Sequence, residues 1–249
     1  MQLQAHRGVC TECPENTMPA FRKAAEQGYP IIELDPKYTA DDVLIVHHDV
    51  VLFRTCRTDD GQVPDESLSI YELPWDEVQK LDVGLWYSPE FKGTRIPTLD
   101  EVLTFAKEHS IHIKIDNVFT SFPDRQQNLL FDLVEASGAD VGFTCPNLAT
   151  VEKIVARFPE APIHYDGYVD EETLQQVKAA LKENPLIVWL PFENEVTSWC
   201  QMPKATPERC AMVKKYAQLG VWLLSEESER AAAEAMGADI IETTGALKP

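Results

Sequence analysis

The sequence predicts an α/β protein whose fold is a closed (β/α)8 TIM barrel, with a small inserted subdomain after the second strand region. Its length of 249 residues matches the roughly 250 residues that such a barrel typically needs. After residue 98, short β-branched runs alternate with amphipathic stretches, as in the repeated β–α units that build a parallel sheet. Glycines lie where several amphipathic stretches stop, as expected at helix ends. We therefore expect residues 1–249 to form one barrel domain.

Eight short apolar runs are expected to form the barrel strands. They lie at residues 3–6, 31–35, 111–116, 140–144, 162–166, 186–191, 220–224 and 239–243. Apolar residues at helical spacing lie between these runs. They predict helices at residues 17–27, 99–109, 123–137, 148–158, 171–183, 207–219 and 226–236. Eight strands with helices between them make the closed barrel the simplest architecture.

A further apolar run, at residues 43–48, does not fit the barrel count. It follows Asp35 after only a few residues, whereas a parallel crossover needs a dozen or more. We expect this run to be antiparallel to the second strand or folded over the barrel top. In either case His48 returns to the region of Glu33. The segment that follows, residues 50–97, has charged and Pro/Gly-containing stretches and is expected to form the inserted subdomain.

Composition and charge narrow the classes of partner. Apolar residues make up 44% of the chain, enough for a core, and the net charge is −19. Acidic surfaces disfavour nucleic acid and anionic membranes, because both attract basic surfaces. No run approaches the ~18 apolar residues of a membrane span, and no basic leader precedes the first apolar run. We therefore expect a cytoplasmic protein with free cysteines that acts on a small molecule.

Polar residues that end apolar runs form the candidate site. His6 and Arg7 end the first run, Glu33 and Asp35 the second, and His48 the additional run. In a barrel, such positions lie at the upper rim, where the last side chain of a strand meets solvent or ligand. Residues two apart on a strand share a face, which brings the two carboxylates together. Two imidazoles and two carboxylates can move protons and hold a divalent cation.

These residues resemble the glycerophosphodiester phosphodiesterase family, which has a (β/α)8 fold. The resemblance is dense over residues 5–103 and thinner afterwards, and several spaced motifs in the same order make it specific. The matching segments are Ala5-His6-Arg7-Gly8, Pro14-Glu15-Asn16-Thr17, Ala20-Phe21, Glu33-Leu34-Asp35, Thr39, His48-Asp49, Leu52, Arg54-Thr55, residues 95–103 and Gly220-Val221-Trp222.

The resemblance implies roles for individual side chains. His6 and His48 match the family's general acid and base, and Glu33 and Asp35 match carboxylates that bind a metal ion. Because the implied ligands are oxygen atoms, the ion is expected to be Mg²⁺ or Ca²⁺. The residues implied to surround the substrate are Arg7, at the phosphate-contacting arginine, Glu15, in a loop that frames the site, and Trp222, in the penultimate strand.

One strand departs from the family pattern of apolar-Glu-apolar-Lys. Residues 111–116 read Ile-His-Ile-Lys-Ile-Asp, so Lys114 occupies the position of the metal-binding glutamate and Asp116 that of the phosphate-facing lysine. A lysine ammonium cannot ligate a cation and would repel one. Three outcomes stay open: Asp116 supplies the third metal carboxylate, Lys114 replaces the charge of the ion, or activity is lost. We expect Asp116 to be the metal ligand and Lys114 to contact the substrate.

The resulting hypothesis is hydrolysis of a glycerophosphodiester-type substrate to an alcohol and glycerol phosphate, by metal-assisted catalysis with two histidines. The alternative is a catalytically altered family member that binds a phosphate ester without standard turnover. The lysine in place of the third metal ligand suggests this alternative, and the last strand departs as well, since Glu242-Thr243-Thr244-Gly245 stands where the family shows Thr-Asp. A metal-dependent sugar isomerase is disfavoured, because its carboxylates and histidines would spread over later strands. Glu193, Glu195 and Trp199 either shape specificity or belong to a surface loop.

Overall fold

The computed structural model describes residues 1–193, 195–196 and 201–249, with only the backbone at residues 195, 196 and 201. The strands are β1 (Gln2–His6), β2 (Ile31–Leu34), β3 (Pro36–Tyr38), β4 (Leu44–Val46), β5 (His112–Ile115), β6 (Val141–Cys145), β7 (Ile163–Tyr165), β8 (Leu186–Pro191), β9 (Glu195–Val196), β10 (Gln201–Met202), β11 (Gln218–Trp222) and β12 (Ile240–Thr243). The helices are α1 (Met18–Glu26), α2 (Trp75–Val78), α3 (Leu99–His109), α4 (Asp124–Ser137), α5 (Leu148–Arg157), α6 (Glu171–Ala180), α7 (Pro207–Val213) and α8 (Glu227–Ala235). Short 3-10 helices lie at Ile70–Glu72, Pro89–Phe91 and Asn117–Ser121.

Eight parallel strands close into a barrel, which confirms the fold class predicted from the sequence. Their order around the ring is β1-β12-β11-β8-β7-β6-β5-β2. Ala5 of β1 pairs with Ile32 of β2 on one side and with Thr243 of β12 on the other. This order places β7 diametrically opposite β1, since the same number of strands separates them in both directions. The carboxyl ends of all the strands therefore surround one mouth.

The helices cover the barrel with their apolar faces. Phe21 of α1, Leu103 of α3 and Val151 of α5 are fully buried in the same cluster as the barrel residue Ile32. Helix α3 begins at a capping box, in which the Thr98 hydroxyl accepts from the backbone N–H of Glu101 and the Glu101 carboxylate accepts from that of Thr98. Such reciprocal caps fix where a helix starts. Within the described ranges, every helix is too short or too polar to cross a bilayer.

The run predicted at residues 43–48 forms the antiparallel strand β4. It pairs with β3, which directly follows β2, and Val46 lies opposite Pro36. The backbone N–H of His47 then donates to the carbonyl oxygen of Asp35 at 3.0 Å. This hairpin returns the chain to the barrel mouth beside the end of β2, as the sequence predicts for His48.

The segment 50–97 lies between β4 and α3 and has apolar contacts of its own. Leu52, Ile70 and Val78 are buried in a cluster separate from the barrel core. The two ends of the segment meet, because the backbone N–H of Val46 donates to the carbonyl of Pro97 at 3.0 Å. These contacts are compatible with a subdomain, and the division of the chain at 50–97 stays a prediction.

Two sequence predictions near the carboxyl end are wrong in their boundaries. The helix expected at 207–219 ends at Val213, because the backbone N–H groups of Lys215 and Tyr216 bond back over three residues, as in turns, and β11 begins at Gln218. The strand expected at 220–224 is β11, Gln218–Trp222, where Leu219 is buried and pairs with Val188. Trp199, which the sequence placed in a possible specificity region, lies outside the described residues.

Candidate active site

A cavity of about 740 Å³ opens at the mouth of the barrel. Almost all the site residues predicted from the sequence line it, namely His6, Arg7, Glu33, Asp35, His48, Lys114, Asp116 and Trp222. Glu15 is the exception, since the structure places it behind Arg7, between two arginines. The cavity wall also includes polar residues that the sequence analysis did not select: Asn117, Thr144, Asp166, Trp189 and Glu242.

A tight turn after β1 presents His6 and Arg7 to the cavity. Arg7 has a φ of +56° and Gly8 a φ of +86°. A Cβ atom at Gly8 would lie 2.7 Å from the Cβ of Ala20, so the close approach of α1 requires glycine here. The turn also aims the backbone N–H of Arg7 at the Glu33 carboxylate, 3.1 Å away. The local backbone thus fixes the first strand end against the second.

Two acids and one further arginine connect Arg7 to His48. Glu15 accepts from the Nη1 of Arg7 at 3.0 Å and from the Nη2 of Arg54 at 2.6 Å. Arg54 in turn donates to the Asp49 carboxylate, whose other oxygen lies 2.6 Å from the Nδ1 of His48. Paired charges in fork geometry of this kind hold side chains in defined orientations. Glu15 therefore frames the site by positioning Arg7 and, through Arg54, the His48 ring.

His48 presents one ring nitrogen to the cavity. Its side chain is 39% exposed, and its Nδ1 is occupied by the Asp49 carboxylate. A carboxylate at this nitrogen favours the tautomer with the proton on Nδ1. The Nε2 atom is then available for proton transfer.

The neighbouring His47 is a packing residue. It is 5% exposed, its Nδ1 lies 2.8 Å from the backbone carbonyl of Asp49, and its Nε2 lies 2.9 Å from the hydroxyl of Thr55. Burial lowers the pKa of His47 to about 4, because the charged ring would lose its water.

We expect His47 to make the folded state less stable as the pH falls. An unfolded histidine takes up a proton near pH 6.5, while folded His47 resists protonation until about pH 4. The contribution is therefore complete above pH 6.5 and is lost between pH 6.5 and 4, at up to about 3 kcal/mol. Urea unfolding of the wild type and of His47→Gln at pH 7.5, 6 and 4.5 would measure the difference. An equal pH dependence in both proteins would contradict this expectation.

Three carboxylates converge at the ends of β2 and β5. One oxygen from each of Glu33, Asp35 and Asp116 lies within 4.8 Å of the others. Burial and the charge of Asp35 raise the pKa of Glu33 well above its usual value, and the same two causes raise that of Asp116. Burial opposes ionisation of Asp35 as well, but the charges of Arg7, His48 and Lys37 and the hydrogen bond from Asn16 together outweigh it and lower its pKa. Such mutual repulsion marks a place where a cation would be favourable.

The three carboxylates keep atoms free for a ligand. Asn16 donates to one oxygen of Asp35 at 2.7 Å, and the backbone N–H of Val118 donates to one oxygen of Asp116 at 3.0 Å. Within the described ranges, the second oxygens of Glu33, Asp35 and Asp116 accept no hydrogen bond. Oxygen donors alone, with an anionic total, suit Mg²⁺ or Ca²⁺. The residues present therefore fit a hard divalent cation.

Lys114 is neutralised by Glu242 across the barrel. Its Nζ donates to Glu242 at 3.0 Å and lies 4.0 Å from the centre of the Trp189 ring. Burial opposes the charged form, but Glu242 and Glu33 outweigh it and raise the pKa of Lys114. The same oxygen of Glu242 accepts from Gln4 at 2.8 Å. The positive charge of Lys114 on β5 is therefore balanced by the acid Glu242 on β12. The sequence alone did not reveal that these two residues form a pair.

His6 lies between the carboxylates of Glu33 and Glu242. Its Nε2 is 3.8 Å from both Glu33 and Glu242. Burial lowers the pKa of His6, although the charge of Glu242 partly opposes this shift. His6, Glu33 and Glu242 also bring ligand atoms within 4.8 Å of one another. The Lys114 ammonium on Glu242 makes this second group less suitable for a cation than the three-carboxylate group.

Asp166 follows β7 on the far side of the cavity. Its Oδ2 accepts from the side-chain amide of Asn117 at 2.6 Å, and its buried Oδ1 has no hydrogen-bond partner among the described residues. Burial, together with the charge of Asp116, raises the pKa of Asp166 to about 7. The sequence predicted a strand ending at residue 166, so the acid at its end carried the same signal as Glu33 and Asp35.

Comparison with known proteins identifies related sequences. A family model described as "Glycerophosphoryl diester phosphodiesterase family" matches residues 6–243. A glycerophosphodiester phosphodiesterase of Caldanaerobacter subterraneus subsp. tengcongensis is 38% identical over 128 residues, which cover 51% of this chain and 49% of that protein. Mouse glycerophosphodiester phosphodiesterase 1 is 33% identical over 139 residues, covering 50% and 40% respectively. The chain spans about half the length, or less, of these curated relatives.

Solved structures share the fold over nearly the whole chain. A phosphodiesterase of Oleispira antarctica, in complex with the product sn-glycerol-3-phosphate, superposes with a TM-score of 0.78 at 18% identity and covers 98% of this chain and 93% of that one. A glycerophosphodiester phosphodiesterase of Agrobacterium tumefaciens gives a TM-score of 0.72 at 20% identity, with coverage of 98% and 96%. At these identities the likeness concerns the fold.

Proposed function

Because the chain belongs to the glycerophosphoryl diester phosphodiesterase family, we propose that it hydrolyses a glycerophosphodiester-type substrate to an alcohol and glycerol phosphate. The observation that carries this proposal is the shared cavity, in which His6 and His48 lie with Arg7 and the three-carboxylate group. The product bound to the Oleispira antarctica relative, sn-glycerol-3-phosphate, is the product expected here. A small-molecule substrate of this size fits the cavity volume.

Two imidazoles supply the proton transfers of this reaction. The oxygen of the attacking hydroxyl, from water or from a neighbouring glycerol hydroxyl, forms a bond to phosphorus while the bond to the departing alcohol oxygen breaks. If the glycerol hydroxyl attacks, the product is a cyclic phosphate, and a water molecule must then attack phosphorus and break one ring P–O bond to give glycerol phosphate. One ring takes the proton of the attacking hydroxyl, and the other protonates the departing alkoxide. The lowered pKa of His6 keeps this ring unprotonated at neutral pH and able to accept a proton. His48 is held by Asp49 with its other nitrogen free.

An anionic substrate needs a positively charged cavity, but the side chains of the cavity wall carry no net positive charge. Carboxylates outnumber lysines and arginines along the wall, and both basic residues, Arg7 and Lys114, are already paired with acids. Glu33, Asp35 and Asp116 would hold a divalent cation, Mg²⁺ or Ca²⁺, beside Arg7. When bound, the ion stabilises the negative charge that develops on the phosphoryl oxygens.

The second candidate function is binding of a phosphate ester without standard turnover. One observation favours it: Lys114 brings a fixed positive charge to the β5 position where the family has a metal-binding glutamate, and the ion pair with Glu242 stabilises it there. In that case Lys114 stands in for the ion and the cavity binds anions without metal. A cytoplasmic location is part of either proposal and is supported by the free cysteines of the described chain.

A metal-dependence experiment separates the two functions. We expect turnover of a panel of glycerophosphodiesters to disappear with EDTA and to return with Mg²⁺ or Ca²⁺. Asp116→Asn should weaken metal affinity, measured by calorimetry, by at least the about 10–100-fold seen for residues that only support ligands. Asp124→Asn, an exposed acid at the start of α4, is the matched control. Tight phosphate-ester binding without turnover or metal affinity would establish the second candidate instead.

A further inference from the structure

Asp166 lies where the proposed reaction has no use for an acid. It follows β7, diametrically opposite the strand that carries His6, and lines the same cavity. The metal and proton-transfer groups lie on β1, on β2, at the end of β5 and on the hairpin after β2. The cavity extends from those groups to β7, so a phosphodiester held there has room for its departing alcohol on the side of Asp166. Asp166 is thus placed to contact that alcohol.

Asn117 orients the carboxylate of Asp166, but only one of the two carboxylate oxygens accepts a hydrogen bond. The side-chain amide of Asn117 donates to one oxygen at 2.6 Å, and the other oxygen is buried without a hydrogen-bond partner in the part of the chain that the structure describes. Among the described residues, no lysine or arginine forms an ion pair with it. A buried acceptor without a partner costs free energy, so retaining it makes physical sense if a ligand completes it. The missing partner is a hydrogen-bond donor, and a positive charge would pair with the acid.

We propose that Asp166 binds a primary ammonium group on the departing alcohol, so that esters of primary amino alcohols are the preferred substrates. This inference rests on the proposed function of the cavity. The aromatic side chains of Tyr168 and Trp222 line the same cavity, and ring faces attract cations. A quaternary ammonium could use the rings but has no N–H to donate to the free oxygen of Asp166. A polyol could donate a hydrogen bond but brings no charge.

Binding to an inactive variant tests the inference independently of turnover. In the His6→Ala background, calorimetry should give at least about tenfold tighter binding of glycerophosphoethanolamine than of glycerophosphocholine, as for a hydrogen bond to a charged group. Asp166→Asn in that background keeps the shape and removes the charge, and it should abolish the difference. Equal affinities without the Asp166 change, or a preference that survives it, would overturn the inference.

Turnover in the presence of metal gives the second readout. The ratio of kcat/KM for the ethanolamine ester to that for the glycerol ester should fall about tenfold in Asp166→Asn. Glu160→Gln, an exposed acid outside the cavity, should keep the wild-type ratio. An equal loss on both esters would show that Asp166 serves the reaction rather than selectivity. If no ester is cleaved, the proposed function fails, while the binding measurement still decides the role of Asp166.

Discussion

We expect His6→Ala and His48→Ala each to lower kcat by about 10²–10⁴-fold, the usual contribution of a positioned proton-transfer group. His6 is the sole imidazole on β1, and His48 enters from the hairpin, so neither ring can replace the other. The melting temperature should stay nearly unchanged, because the His48 side chain is 39% exposed and that of His6 is 23% exposed. Steady-state kinetics on glycerophosphodiesters and thermal unfolding would measure the two effects.

A third histidine provides the matched control for this pair. His109 is exposed at the end of α3, where its Nδ1 lies at hydrogen-bond distance from the Phe105 carbonyl and its ring packs on the Phe105 ring. His109→Ala should retain wild-type turnover. The double variant His6→Ala/His48→Ala should be little worse than either single variant, since groups that act together are not additive. Wild-type activity in either single variant would refute the assignment of the two rings.

The second large effect is expected on stability. Lys114→Met should lower the free energy of unfolding by about 3–5 kcal/mol, because it leaves Glu242 buried beside Glu33 without its cation. Glu242 is 5% exposed and would keep the amide of Gln4 as a hydrogen-bond donor, with the Nε2 of His6 3.8 Å away. The double variant Lys114→Met/Glu242→Met should recover most of the loss, since a buried ion pair can often be replaced by apolar groups. Urea unfolding curves would give all three values.

An exposed ion pair provides the comparison. Lys215 lies 3.2 Å from Glu171, with both side chains more than half exposed. Lys215→Met should cost no more than about 1 kcal/mol, as is usual for surface pairs. If Lys114→Met were as mild as Lys215→Met, the Lys114–Glu242 contact would be incidental, and the exchange of signs on β5 would need another explanation.

The barrel was predictable because its strands and helices depend on local patterns. Alternation of buried strands with amphipathic helices is visible in short windows, and the polar ends of β1 and β2 mark the mouth directly. The boundary errors at α7 and β11 arise where no glycine ends the helix and where the strand begins with the exposed, polar Gln218. There, pairing of Leu219 with Val188 decides the strand, and pairing between distant strands leaves no local signal.

The site was predictable only as far as strand ends and a family resemblance reach. The two-residue spacing of Lys114 and Asp116 predicted a shared face, and both line the cavity. The partner of Lys114 could not be found, because Glu242 lies 128 residues away and the pair depends on closure of the ring. Asp166 was not selected as a site residue for a different reason. It is an isolated acid at a strand end, and no second catalytic or ligating side chain lies beside it in the sequence.

The hairpin β3–β4 has a consequence for how this barrel can vary between related chains. The chain leaves the hairpin after β4 and returns to it at Thr98, which pairs with Ile45, so the two ends of the intervening segment lie side by side. We expect a change confined between those two ends to leave the eight barrel strands in place. The segment nevertheless begins directly after His48 in the chain. We therefore expect exchange of this one segment to alter which molecules reach the mouth, while the barrel stays the same.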